Sequence, residues 1–283
     1  MKRGIVYYNC GDKMAVRLAV SIHSLRKFYD GDITILSEGD ISHAFVYPIA
    51  DKYNCKVQNT VFNGTDGKNT TYLNACLVGN HTPYETTIWI DSDTVCLRPF
   101  SELFEAAEKY QFAIAQFSDW KTKGKIGGRI NAWKGILPDH WIERALAFGP
   151  AINCGVFAFH HTSTLVRDWW KLAKQGQHTM IPDEVCCQIM LAQPEYKNKI
   201  LPQIFNCSCK YGDKWAEDAR ILHYHGRKHC RFDDETNKPL NHCLVWYEQF
   251  EEIRHQQFVQ EYVCKDRMLR KYLPTWNRKY RKI

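Results

Sequence analysis

Two aspartates carry the strongest chemical signal in the chain, within Thr87-Ile88-Trp89-Ile90-Asp91-Ser92-Asp93-Thr94. On an extended backbone, residues two apart share a face. Asp91 and Asp93 are therefore expected to project together from the end of an apolar strand. Two neighbouring carboxylates repel unless a cation lies between them. Hard oxygen donors suit Mg²⁺ or Mn²⁺, and such an ion can stabilise a departing nucleoside diphosphate. The competing expectation is a turn with two solvated acids. A second candidate is His223-Tyr224-His225-Gly226. On a strand His223 and His225 share a face, and either could give a nitrogen ligand to the same ion. Gly226 lets the backbone approach a phosphate, and Arg227 and Lys228 bring positive charge there.

Such residues need elements to position them. Gly4 to Asn9 reads as an opening strand, ending in Cys10-Gly11-Asp12. Met14 to Tyr29 carries Val16, Leu18, Ala19, Ile22, Leu25 and Phe28 at helical spacing. Ile33–Leu36 reads as a strand, Lys68–Val78 as a helix, Thr86–Val95 as a strand, Pro99–Tyr110 as a helix and Phe112–Phe117 as a strand. Asn153–Phe159 is a further strand, followed by a Trp-rich helix through Trp169 and Trp170. Pro182-Asp183-Glu184 opens a helix with acids in its first turn, as the helix dipole prefers. Ile221–His225 is a late strand, and the pattern turns helical from Trp246. Strands alternating with helices predict an α/β fold, a mostly parallel central sheet flanked by helices. Ligands of such sheets lie beyond the carboxyl ends of the strands, here just after Tyr8, Leu36, Ile90 and Phe117.

Composition bounds the classes. The 283 residues, 45% hydrophobic and 24% charged, form a globular chain of one large or two small domains. The net charge of +7 is concentrated in eight basic residues and one acid from Lys265 to Ile283, so residues 1–264 are neutral. A second basic stretch holds Lys121, Lys123, Lys125, Arg129 and Lys134. Such blocks suit phosphate or anionic lipid, or are simply solvated. Residues 121–134 are expected to form a ligand-binding loop, with Trp120 and Trp133 as exposed aromatics and Asp119 accepting ligand hydroxyls or capping a helix. Trp169 and Trp170 are expected to pack in the core. The twelve cysteines show no C-x-x-C pair and read as buried thiols of a reducing compartment. Cys207, Cys209 and His223 or His229 form a weaker, zinc-like set. No signal peptide and no membrane span is visible, so a cytoplasmic location is expected.

Taken together the motifs resemble the retaining glycosyltransferases of the GT-A fold, in particular the glycogenin and bacterial galactosyltransferase family (glycosyltransferase family eight). The likeness runs from about Ile5 to Lys228. It rests on Val6 to Leu25, Trp89-Ile-Asp-Ser-Asp-Thr-Val95, Ile152-Asn-Cys-Gly-Val156, Pro182-Asp-Glu184, Leu201-Pro-Gln-Ile-Phe-Asn206 and His223-Tyr-His-Gly226, in the family's order. The resemblance implies a UDP-sugar donor, Mn²⁺ (or Mg²⁺), and transfer of a hexose, glucose or galactose favoured, to an acceptor hydroxyl with retention. It implies Asp91, Asp93 and His223 as metal ligands, with Ser92 between them. The uridine would lie on Tyr7, Tyr8 and Asn9, and the sugar and acceptor on Asn153 and Gly155. Asp183 would face the donor sugar, and Gly226 with the following basic residue would clamp the diphosphate.

Four positions depart from the family's pattern. Met14 replaces the tyrosine on the uracil, which leaves stacking to Tyr7 or Tyr8. The arginine before D-x-D is missing, with Lys68 the nearby cation. His229 takes the clamp lysine's place, with Lys228 one position early. Glu184 replaces a glutamine. A carboxylate at that position could act as nucleophile or as ion-pair stabiliser of the sugar.

The implied domains are a GT-A domain over 1–245 and a helical, basic extension over 246–283. The acceptor implied is a glycan, a protein or a hydroxylated DNA base. The loop 121–134 and the tail 265–283 are the candidate contacts to nucleic acid or a membrane surface. Two other classes compete: a Mg²⁺-dependent nucleotidyltransferase using the same aspartates, and a non-catalytic nucleic-acid-binding protein. No Gly-rich triphosphate loop and no nucleic-acid-binding motif is present.

Overall fold

A computed structural model describes residues 2–9, 11–38, 44–60, 73–119, 125–208, 217–225, 240–267 and 269–271. Its strands are β1 (Arg3–Asn9), β2 (Asp32–Glu38), β3 (Lys56–Thr60), β4 (Thr86–Ile90), β5 (Thr94–Cys96), β6 (Phe112–Asp119), β7 (Pro150–His160), β8 (Lys199–Leu201), β9 (Cys207–Ser208) and β10 (Ile221–His223). Its helices are α1 (Ala15–Arg26), α2 (Val46–Lys52), α3 (Val78–His81), α4 (Glu102–Tyr110), α5 (Lys125–Asn131), α6 (Asp139–Ala147), α7 (Thr164–Gln175), α8 (Pro182–Leu191), α9 (Asn241–Ile253) and α10 (Gln257–Tyr262). The central sheet has seven strands in the order β3-β2-β1-β4-β7-β6-β8, and β5-β10-β9 make a smaller sheet. The fold is mixed α/β, as the alternating pattern predicts. None of the described helices is long and apolar enough to cross a membrane.

The chain divides into two interleaved units. The first is Met1–Val6, Thr60–Ile90 and Phe100–Asn206; the second is Tyr7–Asn59, Asp91–Pro99 and Cys207–Ile283.

In the first unit β1 pairs parallel with β4, and β6 parallel with β8. β7 runs antiparallel to both β4 and β6. Strand direction leaves no mark on hydrophobic periodicity, so the sequence could not show this reversal. Its effect is positional. Val156 faces Ile90 at the end of β4, and Pro150 faces Asp119 at the end of β6. The opening half of β7, with Asn153, therefore lies at the carboxyl ends of its neighbours. A bulge adds to this: Ile114 faces Phe157 while Gln116 faces Ile152, so the four residues 153–156 of β7 stand against Ala115 alone. Three residues beyond regular pairing bend the strand and re-aim its side chains. The core beneath is aromatic. The Phe157 ring centroid lies 5.8 Å from Trp89, 5.7 Å from Phe112 and 5.4 Å from Trp169. Trp169 is fully buried, and its indole N–H donates to the Asp183 carbonyl at 3.0 Å. Core packing is thus its role, as expected, and it anchors the first turn of α8.

In the second unit α1 buries almost all of its first eleven residues. Three of these are polar, Arg17, Ser21 and Ser24, and the two serines are spent on β5. Ser24 Oγ accepts from the Cys96 N–H at 3.0 Å and donates to the Ser21 carbonyl at 2.8 Å. β5 pairs antiparallel with β10, with Thr94 opposite His223. Arg17 and Asp266, 6% and 2% exposed, form an ion pair at 2.6 Å that fastens α1 to the stretch after α10. α9 starts at Asn241, five residues before the expected helical start, and runs through residue 246.

Two predicted strands are shorter than expected. Thr86–Val95 is interrupted: β4 ends at Ile90, residues 91–93 form a turn, and β5 begins at Thr94. Asp and Ser are turn formers because their side chains bond nearby backbone. Ile221–His225 likewise ends at His223, and His225 has φ 45°. The helix expected over Lys68–Val78 is, in its described part, a 3₁₀ turn at Asn74–Leu77 running into the single turn α3. The basic stretch is not a loop throughout, since 125–131 form α5. Trp133 is fully buried rather than exposed.

Candidate active site

The turn and β10 bring three ligand atoms together. One atom from each of Asp91, Asp93 and His223 lies within 4.8 Å of the others. His223 Nε2 is 3.1 Å from Asp93 Oδ1 and 3.7 Å from Asp91 Oδ2. The side chains of His223 and Asp93 are 3% and 9% exposed, whereas that of Asp91 is 40% exposed. The acids are therefore neither on one strand face nor both solvated. A turn does what the strand was expected to do, because β5 is ladder-paired to β10 and carries Asp93 beside Thr94↔His223. The Tyr224 N–H donates to the Asp93 carbonyl at 2.9 Å and closes this corner. The His225 ring stacks on His223, centroids 4.0 Å apart at 26°. Of the two histidines, His223 is the one beside the carboxylates. Two hard carboxylates and one imidazole fit Mn²⁺ or Mg²⁺.

A chain of hydroxyls holds this turn in place. Thr94 Oγ1 donates to the Asp91 carbonyl at 2.9 Å. Each hydroxyl has one proton, so the 2.7 Å contact between Ser21 and Thr94 must be donated by Ser21. The 3.0 Å contact between Tyr7 and Ser21 must then be donated by Tyr7. The direction Tyr7→Ser21→Thr94→Asp91 is thereby fixed. Burial pushes the Tyr7 phenol well above its usual pKa, which keeps the donating proton in place. Tyr7 is fully buried and cannot stack on a uracil. Its role is to brace the turn, which leaves Tyr8, half-buried, as the remaining aromatic of that pair.

The first unit gathers a second group of predicted residues. Asn153 Nδ2 donates to Glu184 Oε2 at 2.8 Å. Asn153 Oδ1 accepts from the Gly155 N–H at 3.0 Å. Arg129 Nη1 lies 3.8 Å from Glu184 Oε1. Asn206 Nδ2 contacts the Asn153 carbonyl at 3.0 Å and its Oδ1 at 3.2 Å. Gln188 ties α8 to β7 twice, accepting from the Ile152 N–H at 3.0 Å and donating to the Pro150 carbonyl at 2.7 Å. Asp183 is buried in the first turn of α8. Burial first, and the Asp183 carboxylate second, push the Cys76 thiol up. The residue before this helix, Ile181, has φ 49°, a left-handed conformation that a β-branched side chain resists.

The structure thus joins Asp91, Asp93 and His223 in one group and Asn153, Gly155 and Glu184 in another. Asn9 is buried at the end of β1, and Ser92 is half-buried in the turn. Lys68, Gly226 and Lys228 lie outside the described residues, as does the side chain of Asp119. So do 121–124 of the basic stretch and 272–283 of the tail. Cys209 and His229 of the zinc-like set are also outside; of its described members, Cys207 is a buried free thiol and His223 lies with the aspartates. Arg129, Gln188 and Asn206 were not read as site residues. Asn206 closes Leu201-Pro-Gln-Ile-Phe-Asn206, and that motif is the signal the sequence offers for it. Arg129 was hidden in Lys-Ile-Gly-Gly-Arg-Ile-Asn, whose glycines disfavour a helix. The described cysteines are free thiols, and all but Cys55 and Cys264 are buried.

Neither a known sequence family nor a curated protein matches the chain. Solved structures do. A galactosyltransferase, LgtC, in complex with donor and acceptor sugar analogues, aligns over 88% of this chain and 95% of its own, with TM-score 0.60 and 14% identity. The glycosyltransferase GlyE of Streptococcus pneumoniae aligns over 97% of this chain and 64% of its own, with TM-score 0.59 and 15% identity. Mouse xyloside xylosyltransferase 1 aligns over 78% of this chain and 96% of its own, with TM-score 0.51 and 12% identity. The chain has the GT-A fold that the sequence motifs resembled.

Proposed function

We propose that this protein is a metal-dependent glycosyltransferase that moves a hexose from a UDP-sugar to an acceptor hydroxyl with retention. The observation that carries the reading is the convergence of Asp91, Asp93 and His223 in a chain with the GT-A fold. Mn²⁺ or Mg²⁺ held there would neutralise charge on the departing UDP. Asp91 and Asp93 orient the donor's diphosphate end, and His223 completes their set. Tyr8 and Asn9 take the uridine. Asn153, Asp183 and Glu184 serve the sugar: the carboxylates stabilise positive charge as the glycosidic bond loosens.

The test is UDP release. Purified protein is incubated with UDP-glucose, UDP-galactose and UDP-N-acetylglucosamine, with and without Mn²⁺, beside Asp91→Ala. Mn²⁺-dependent UDP from one donor, lost in the variant, is the expected result. Release of pyrophosphate from a nucleoside triphosphate instead would make the protein a nucleotidyltransferase and sink the proposal.

A further inference from the structure

Glu184 is held from two sides. Its Oε2 accepts from Asn153 Nδ2 at 2.8 Å, and its Oε1 faces the Arg129 guanidinium at 3.8 Å. The side chains of Glu184 and Arg129 are 18% and 32% exposed. Both line a small open recess whose apolar walls are Ile126, Ile130, Ile152 and Val185. A carboxylate in such a place is useful only if its direction is fixed.

What fixes it lies one residue further back. A primary amide presents an oxygen that accepts and a nitrogen that donates, and the two ends are nearly isosteric. Asn153 could sit either way round unless its neighbours choose. The Gly155 N–H donates to one end at 3.0 Å, and Asn206 Nδ2 contacts that same end at 3.2 Å. Two donors at one end demand the oxygen there, so the NH₂ must face Glu184. Asn206 also donates to the Asn153 main-chain carbonyl at 3.0 Å, which pins the bulged backbone of β7 as well as the side chain. Asn206 is itself buried, 1% exposed, so the inner end of the relay is shielded from water.

We propose that Asn206 is a positioning residue. It sets the orientation of the Asn153 amide, which with Arg129 holds Glu184 as an aimed carboxylate at the recess. The inference rests on the glycosyltransferase reading for what the carboxylate then does, namely stabilise the sugar's developing charge.

The test uses the full chain and two independent readouts. The first is the Asn153 side-chain NH₂ signal in protein labelled with ¹⁵N-asparagine, identified by its absence in Asn153→Asp. The second is kcat and KM for UDP release. In Asn206→Asp the donor becomes an acceptor, which repels the Asn153 carbonyl and Oδ1 and works against the hold of the Gly155 N–H on the amide. Its NH₂ signal should move as it does in Glu184→Gln, and kcat should fall by about 10²-fold with KM unchanged, the size of effect a misplaced catalytic group brings. Asn206→Ser keeps a donor and should retain both properties in part. An Asn153 signal in folded Asn206→Asp identical to wild type would overturn the proposal, as would a wild-type kcat. If Asn206→Asp does not fold, Asn206→Ser and Glu184→Gln carry the same readouts. If the wild type releases no UDP from any donor, the glycosyltransferase reading fails, while the amide signal still decides the relay.

Discussion

Asp91 and Asp93 lie in the same turn, yet their loss should cost different things. Asp93 is 7% exposed and bonded to buried His223. Asp93→Ala should therefore destabilise the fold by about 1–3 kcal/mol, because it strands a buried polar partner. Asp91 is the more exposed acid, and Asp91→Ala should change stability by less than about 0.5 kcal/mol. Both should abolish Mn²⁺-dependent UDP binding in a calorimetric titration. Equal thermal melting of the two variants would contradict the burial argument. Tyr7→Phe removes only the first donor of the hydroxyl chain. It should cost about 1 kcal/mol and weaken Mn²⁺ binding with both aspartates intact. An unchanged Mn²⁺ affinity would mean the chain does not govern the turn. The two aspartates could be read from residue types and spacing, whereas the choice of His223 over His225 came with the family resemblance. The role of Tyr7 could not, since a tyrosine at a strand end looks the same facing a ligand or a core.

At the level of elements, most strands and helices follow from periodicity alone, because one apolar face against a sheet is what the pattern encodes. The errors have physical causes. Ile88-Trp89-Ile90 and Thr94-Val95-Cys96 are both apolar, and their continuity hid the three-residue turn between them. The bulge in β7 and the reversal of that strand are properties of pairing, which a single strand's sequence does not contain. Trp133 reads as an exposed aromatic in the sequence because its neighbours are basic and Gly-rich. Its burial gives Gly176, at the end of α7, a steric role. A methyl group there would run into the Trp133 ring. Gly176→Ala should therefore destabilise by about 1–3 kcal/mol through overpacking, more than the gain from a stiffer unfolded chain. Urea denaturation measures this, and a stabilised variant would show that the ring has room to move.

Over the whole molecule, the net charge belongs to the last nineteen residues, and the sequence did not reveal how that segment is attached. The Arg17–Asp266 pair supplies the attachment within the second unit. Breaking a buried pair leaves a naked charge, so Asp266→Ala should cost about 3–5 kcal/mol. Arg17→Met with Asp266→Leu should recover most of that loss. A single variant that melts like the wild type would refute the attachment. The interleaving of the units also has a consequence in time. His223 follows Asp93 by 130 residues. At the ~5–20 residues per second of synthesis, the acidic turn leaves the ribosome on the order of ten seconds before its imidazole. Until then β5 lacks β10, its ladder partner, and the two carboxylates have no third ligand. A nascent chain stalled before residue 223 would hold the hydroxyl brace and both acids, yet would lack the imidazole that completes the group.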